Sequence, residues 1–273
     1  MDRDFGAGWV PEGIDTTKAS PARVYDYGLG GSHNFAVDRR VHEEFRRISP
    51  TAAQSAWDNR AFLRRAVRFC QQQGIAQFLD LGSGVPTVGN VHEIAQQHDL
   101  AARVVYVDID PVAVAHSRRL LAGDDRATAL RADMRDPESI LGHPDTRRLL
   151  GFDRPVAVLM VAVAHYLTDD DGPAAILDRY RSVMAPGSLL VFSHITNEDF
   201  PEEIRRGEEI FNAHLAEPMT ARNRARISAL LDDFDLVEPG LTYPALWRPD
   251  GPLPAGQDPR RSACLAAVGR PRA

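Results

Sequence analysis

Asp80, Gly82 and Gly84 stand together in the run Gln77-Phe78-Leu79-Asp80-Leu81-Gly82-Ser83-Gly84-Val85-Pro86. A short apolar segment leads into a carboxylate, then into two residues without a Cβ. There the backbone can turn sharply and a ligand can come close. A helix expected from about Thr87 to Gln97 would present unpaired N–H groups at its start, a setting suited to a phosphate. The Asp80 carboxylate favours a cation instead. The dinucleotide fingerprint G-x-G-x-x-G fails at its third glycine, where Thr87 stands.

Further ionisable side chains follow at intervals. Asp108 lies 26 residues after Gly82, a separation suited to an acid that accepts hydrogen bonds from a ribose diol. Its competing reading, a cap for the helix opening at Pro111, falls more naturally to Asp110. Asp133 followed by Met134 suits an adenine, the carboxylate accepting from the exocyclic amine and the thioether lying on the ring; a simple turn before Pro137 accounts for it equally well. A nucleotide-like ligand with an amino-acid end meets the demands of both Asp80 and Asp108, and S-adenosylmethionine is such a ligand. His165 and His194 are candidate general bases, with His33 a third, though a hydrogen-bonded structural role competes for each. Asn59 and Arg60, and Arg222, Arg224 and Arg226, read better as solvated helix faces than as ligand contacts. Asp169-Asp170-Asp171 reads as a helix N-terminal acidic cluster, and no metal is expected.

These side chains need a scaffold, and the pattern supplies one. Strands are expected at Phe78–Leu81, Arg103–Asp108, Ala127–Ala132, Pro155–Val163 and Ser188–Ile195, alternating with helices. That alternation implies a parallel sheet covered on both faces, with ligands beyond the carboxyl ends of the strands. Asp80, Asp108, Asp133, His165 and His194 all fall at such ends. Helices are expected at Val37–Ile48 and Gln54–Gln73 before the sheet. After it come helices at Ile204–Leu215 and Ala221–Leu231, then two strands, Phe234–Leu241 and Ala263–Gly269, able to pair antiparallel at the sheet edge. Between those strands lies a proline-rich excursion, residues 244–259, expected to border an acceptor pocket. Near the start, Ala22-Arg23-Val24-Tyr25-Asp26-Tyr27-Gly28-Leu29-Gly30-Gly31-Ser32-His33-Asn34-Phe35 admits two readings: a surface loop with an aromatic anchor, or a lid hinged on its glycines.

Composition narrows the field. The chain has 273 residues, 44% of them hydrophobic and 26% charged, with a net charge of −6. That balance suits a globular protein and disfavours general nucleic-acid binding, which needs a basic face. The longest apolar run, Val156 to Ala164, is too short to cross a bilayer. The charged start lacks a signal-peptide core, so a cytoplasmic location is the default expectation. Lys18 is the only lysine, which removes P-loop, Schiff-base and Tyr-x-x-x-Lys chemistry. Cys70 and Cys264 form no motif and read as buried thiols.

The series Phe78-Leu79-Asp80-Leu81-Gly82-Ser83-Gly84, Val107-Asp108-Ile109-Asp110-Pro111, Ala132-Asp133-Met134 and Ala185-Pro186-Gly187-Ser188 resembles the class I S-adenosylmethionine-dependent methyltransferases over about residues 75–195. The tyrosine-glycine stretch, Asn90-Val91-His92, Pro239-Gly240 and Trp247-Arg248-Pro249 resemble, over nearly the whole chain, a mostly actinobacterial S-adenosyl methyltransferase family. The resemblance implies an α/β, Rossmann-like, seven-stranded and mostly parallel sheet, helices on both faces, the last strand antiparallel, with an N-terminal helical lid (1–74) ahead of a cofactor-binding domain (75–273). It implies Asp80, Gly82, Ser83 and Gly84 at a methionine end, Asp108 and Ile109 at ribose and adenine, Asp133 and Met134 at the base, and Tyr25, Tyr27 and Asn34 closing over them. Pro86 departs from the usual small residue, and no Asn-Pro-Pro-Tyr signature follows the fourth strand, so methylation of DNA-base or glutamine amines has no support. The expected function is methyl transfer from S-adenosylmethionine to an unidentified small molecule. The alternatives are a non-catalytic S-adenosylmethionine-binding regulator and, further off, a nicotinamide-dependent oxidoreductase.

Overall fold

The apolar segments do form strands: β1 (Gln77–Leu81), β2 (Arg103–Asp108), β3 (Ala127–Arg131), β4 (Ala157–Val161), β5 (Leu189–Ile195), β6 (Phe234–Leu236) and β7 (Cys264–Pro271). The computed structural model describes residues 14–87 and 89–272. The strands make one sheet in the order β3-β2-β1-β4-β5-β7-β6. The first five are mutually parallel, and β7 runs antiparallel between β5 and β6. The expected antiparallel final strand is therefore present, inserted one place in from the edge.

The helices are α1 (Pro21–Gly28), α2 (Ala36–Ile48), α3 (Ala52–Gln72), α4 (Val91–His98), α5 (Pro111–Leu120), α6 (Pro137–Leu141), α7 (Pro144–Leu149), α8 (Pro173–Arg181), α9 (Pro201–His214) and α10 (Arg224–Ala229). Strand side chains alternate between two apolar layers, as the pleat requires. Phe78, Val104, Ala157 and Val191 face α3, α4 and α5 on one side. Leu79, Val105, Val158 and Leu190 face Ile140, Leu149, Ile176 and Tyr180 of α6, α7 and α8 on the other. A third apolar cluster joins α1, α2 and α9: Val24, Val41, Phe45, Ile210 and Phe211. It forms a cap over the carboxyl ends of the strands.

Three expectations need correction. The helix after the glycine turn starts at Val91, not near Thr87, because Asn90 is its N-cap and Glu93 closes a capping box with the Asn90 N–H at 2.8 Å. The glycine turn is thus not itself a helix N-terminus. The sixth strand is three residues long rather than eight. The proline-rich excursion packs on the α3 face of the sheet: Trp247 is fully buried with ring centroids 5.4 Å from Phe62 and 5.7 Å from Phe69. Arg65 locks it there, donating from Nε to the Trp247 carbonyl (3.0 Å) and from Nη2 to that of Pro244 (2.7 Å). No residue of 244–259 reaches the cavity described below.

Candidate functional site

Strand order reverses between β1 and β4, the point at which open α/β sheets bind ligands. A cavity of about 240 Å³ lies there, between the strand ends and the cap of α1, α2 and α9. Asp80, Gly82, Ser83, Gly84, Asp108, Ile109, Asp133 and Met134 all line it.

Backbone conformation sets the rim. Gly82 and Gly84 have φ of +65° and +70°, a region that side chains with a Cβ enter at a cost. A Cβ on Gly82 would lie 2.0 Å from Cγ2 of Val163, whereas one on Gly84 would meet open space. Gly82→Ala should therefore destabilise the fold by about 1–3 kcal/mol through overlap and strain. Denaturant unfolding measures it, and an unchanged midpoint would contradict this turn geometry.

Asp108 is fixed by the same turn. Its Oδ2 accepts the Gly84 N–H at 2.6 Å and its Oδ1 accepts the Asp110 N–H at 2.8 Å. Asp110 does cap α5, accepting from Val112 N and Ala113 N at 2.6 and 3.2 Å, so Asp108 is released from that duty. Asp80 is buried and accepts no hydrogen bond from any described residue; Arg60 is its electrostatic partner. Burial pushes the carboxyl of Asp80 up to about 7 and that of Asp108 up to about 6. For Asp80 the Arg60 charge opposes the shift and the Asp108 charge adds to it. Buried carboxylates with displaced pKa values in a cavity make it a candidate functional site.

The cap holds one of the three expected closing residues at the cavity. Tyr25 lines it; its hydroxyl donates to the Ala56 carbonyl (3.1 Å) and accepts from Asn59 Nδ2 (3.2 Å). Tyr27 and Asn34 do not line it. The Tyr27 hydroxyl goes to Glu43 at 3.2 Å, and Asn34 Nδ2 donates to Asp26 and to the Gly31 carbonyl, at 2.8 and 2.9 Å. Both serve the conformation of the tyrosine-glycine segment, which is a helix and a turn rather than a loose loop. Asp26 organises that turn by also accepting the His33 N–H at 2.9 Å. The whole segment is tied to the sheet by buried Arg23, which donates from Nε to Asp38 (2.9 Å) and from Nη1 to Asp110 (3.0 Å).

Asn59 and Arg60, expected on a solvated face, both line the cavity, and Asn59 is 4% exposed. Asn59 Oδ1 accepts from Ser193 Oγ at 2.7 Å, and that hydroxyl accepts the N–H of Ala162 at 2.8 Å. Ala162 holds φ at +56°, a strained conformation at the end of β4. Arg60 donates from Nη2 to Thr87 Oγ1 at 2.5 Å, while its Nε is buried without a partner.

The two histidines part company. His165 lines the cavity, buried, and its Nδ1 has no partner among the described residues. Burial, then the neighbouring His194 and Arg222, hold it well below the usual imidazole range, so the ring is neutral. His194 is not at the cavity. Its Nδ1 faces the Ile195 carbonyl (2.7 Å) and its Nε2 accepts from Arg222 Nη1 (2.9 Å), so both nitrogens are committed and the ring is unsuited to act as a base. Arg222 is itself buried, not solvated, and ion-pairs with Asp169 at 2.8 Å. His33 faces the His116 ring at 4.2 Å rather than the cavity. Asp133 is at the rim, but Arg135 Nε contacts both its oxygens at 2.9 Å, and Arg135 also pairs with Glu217 at 2.9 Å. Among the described residues no group of three or more His, Cys, Asp or Glu side chains is arranged to hold a metal ion, and no helix is long and apolar enough to cross a membrane.

Comparison with known proteins places this geometry in a family. A sequence profile described as S-adenosyl methyltransferase matches residues 7–272. The chain belongs to the S-adenosyl methyltransferase family. Two solved structures from actinobacteria support the assignment across the full length. One, from Thermobifida fusca and provisionally described as a methyltransferase, is 44% identical; the match covers 97% of this chain and 99% of that one, with a TM-score of 0.91. The other, a DUF574 family protein from Streptomyces avermitilis, is 36% identical over 94% of this chain and 99% of that one, with a TM-score of 0.90. An O-methyltransferase family protein from Burkholderia thailandensis shares the fold alone, at 12% identity and a TM-score of 0.50, over 81% of this chain and 60% of that one. No curated protein matches the chain. In this member of the family the seven-stranded, mostly parallel sheet and its inserted antiparallel β7 are those the sequence resemblance implies.

Proposed function

We propose that the chain transfers a methyl group from S-adenosylmethionine to a small molecule. The observation that carries this function is a complementary pair at the rim: the Asp80 carboxylate, which accepts no hydrogen bond from any described residue, and Arg60 Nε, buried without an acceptor among the described residues. A zwitterionic amino-acid end supplies both partners, its ammonium to Asp80 and its carboxylate to Arg60. Buried charges and polar groups left unpaired are costly, which makes the rim a receptor for that group. Asp108, held by two backbone N–H groups, accepts from ribose hydroxyls. Asp133 and Met134 border the adenine end, where Asp133 shares its charge with Arg135. Ile109, at 40% exposure the most open of the apolar lining residues, covers the same end.

Bound there, S-adenosylmethionine supplies an electrophilic methyl group on a sulfonium, whose departure needs no acid. The protein's work is then alignment and exclusion of water, which can contribute several kcal/mol of the roughly 7–11 kcal/mol available from proximity. The Tyr25–Asn59–Ser193–Ala162 chain of hydrogen bonds fixes the wall beside the glycine turn, where Val163 packs on Gly82. His165, neutral and with Nδ1 unpartnered, accepts a proton from the acceptor where one must leave.

The carboxyl shifts give a pH signature with a definite sign. Asp80 and Asp108 are raised above the ordinary aspartate value of 3.8, so the folded, unliganded protein binds protons that the unfolded chain has lost. Their contribution to stability is present in full below about pH 4 and is lost as pH rises through about 6 and 7. A ligand ammonium requires Asp80 ionised, so binding near about pH 6.5 should release protons. Calorimetric titration in two buffers of different ionisation enthalpy measures this; proton uptake would remove Asp80 from the ammonium. A crystal structure with S-adenosylhomocysteine tests the assignment of roles. Asp108 within hydrogen-bond distance of both ribose hydroxyls is the expected result, and a ligand seated away from Asp108 would refute it.

A further inference from the structure

The cavity continues past the rim into the cap, and the lining changes character there. Phe45 of α2, Ile195 at the end of β5, Ile204 and Phe211 of α9, and Met219 wall that half. Phe45 and Phe211 meet edge to face at 5.2 Å, and Gly207 lets α9 approach so closely that a Cβ there would lie 2.6 Å from the Phe45 ring. The charged groups nearest this half are already neutralised within the protein. Glu217 is paired with Arg135 at 2.9 Å. Arg261 is paired with Glu203 at 3.4 Å and lies over the Phe200 ring at 4.2 Å. A charged ligand entering this half would therefore be desolvated with nothing to meet it, at heavy cost.

Several polar groups lining the cavity find no partner among the described residues: Ser20 Oγ, His165 Nδ1 and the Tyr166 hydroxyl. Tyr166 packs its ring into the α1–α2–α9 cluster and lines the cavity, yet its hydroxyl makes no hydrogen bond with any described residue. It sits close enough to Tyr25 to feel that phenol electrostatically, and next to His165, whose Nδ1 also lacks a partner. Tyr166 is half-buried, and its hydroxyl is open to the cavity, where a ligand can meet it. Tyr25, by contrast, has both of its partners within the protein.

We infer that the cap half of the cavity is the acceptor subsite and takes an uncharged, predominantly apolar molecule, aromatic or flat enough to lie against the Phe45–Phe211 pair, that presents one hydroxyl to Tyr166. The identification as an acceptor rests on the methyltransferase function proposed above; the ligand chemistry does not. Tyr166 orients the hydroxyl, and the apolar wall supplies the affinity.

Binding of three probes of one skeleton tests this, each titrated calorimetrically into the full chain with and without S-adenosylhomocysteine: 2-naphthol, naphthalene and 2-naphthoate. 2-Naphthol should bind at least about tenfold more tightly than 2-naphthoate, because the carboxylate would be buried unpaired. Tyr166→Phe should weaken 2-naphthol by about fivefold and leave naphthalene unchanged, a difference that loss of packing alone would not produce. Ile204→Trp should fill the box and abolish binding of both, with affinity for S-adenosylhomocysteine retained. If Ile204→Trp loses that affinity too, the fold is damaged and Tyr166→Phe decides. Equal or tighter binding of 2-naphthoate, failure of all three probes, or a Tyr166→Phe effect shared by naphthol and naphthalene would overturn the inference. Failure of the cofactor assignment shows separately, as an unmodified chain that binds 2-naphthol but not S-adenosylhomocysteine.

Discussion

Asp108→Ala is expected to weaken S-adenosylmethionine binding by at least about tenfold and up to several hundredfold. A carboxylate accepting from a hydroxyl contributes about 1.5–3 kcal/mol, and two ribose hydroxyls are within its capacity. The substitution also strips the Gly84 and Asp110 N–H groups of their acceptor, at 2.6 and 2.8 Å in the intact turn. The turn that shapes the methionine end then loses its anchor. Asp108→Asn separates the two contributions. It keeps the volume and one acceptor, but turns an NH₂ toward a backbone N–H, so its loss of affinity should approach that of alanine while the fold persists. Titration calorimetry measures both. Unchanged affinity in Asp108→Ala would take this residue out of the site.

Arg23→Met should destabilise the protein by about 3–5 kcal/mol, the cost of leaving buried charge without its counter-ion. Arg23 is 4% exposed, and both of its carboxylate partners, Asp38 and Asp110, are buried. Methionine keeps the apolar stem but leaves the two acids facing each other across the gap. Asp38 retains the Ser20 and Phe35 N–H groups and Asp110 retains α5, so the fold should survive in weakened form. The damage should concentrate on α1, and with it on Tyr25. Denaturant unfolding gives the stability, and a small shift, below about 1 kcal/mol, would show that the ion network does not hold the cap.

The sheet was readable because its strands are short apolar runs bounded by helix-starting prolines and acids, and period-two burial on both faces leaves few other folds for such a pattern. The rim was readable for a related reason. Asp80, Gly82, Gly84 and Asp108 take their places at the cavity from local chain geometry, namely strand, turn and strand end. Several of the misses are residues whose contacts are distant in sequence. Asn59 looked like one more polar residue on a helix until β5 brought Ser193 against it from 134 residues away. Arg222 looked solvated, but the sheet buries it against His194. His194 looked like a base for the same reason that His165 did, its place at a strand end; only the third dimension shows that Arg222 and its own chain occupy both nitrogens. Tyr27 and Asn34 carry the family's sequence mark without touching the cavity, because they build the turn that presents Tyr25. Trp247 and its prolines read as an excursion bordering the acceptor pocket and instead seal the flank of α3. The helices α6 and α7 announced themselves only through Pro137 and Pro144, each at a first helical turn.

Titration calorimetry of the unmodified chain with S-adenosylmethionine, alongside NAD, bears most directly on whether paired acids and an arginine at this rim receive a cationic amino-acid nucleoside. One-to-one binding of S-adenosylmethionine with no heat from NAD is the predicted result. Absence of S-adenosylmethionine binding, or tighter binding of NAD, would contradict it.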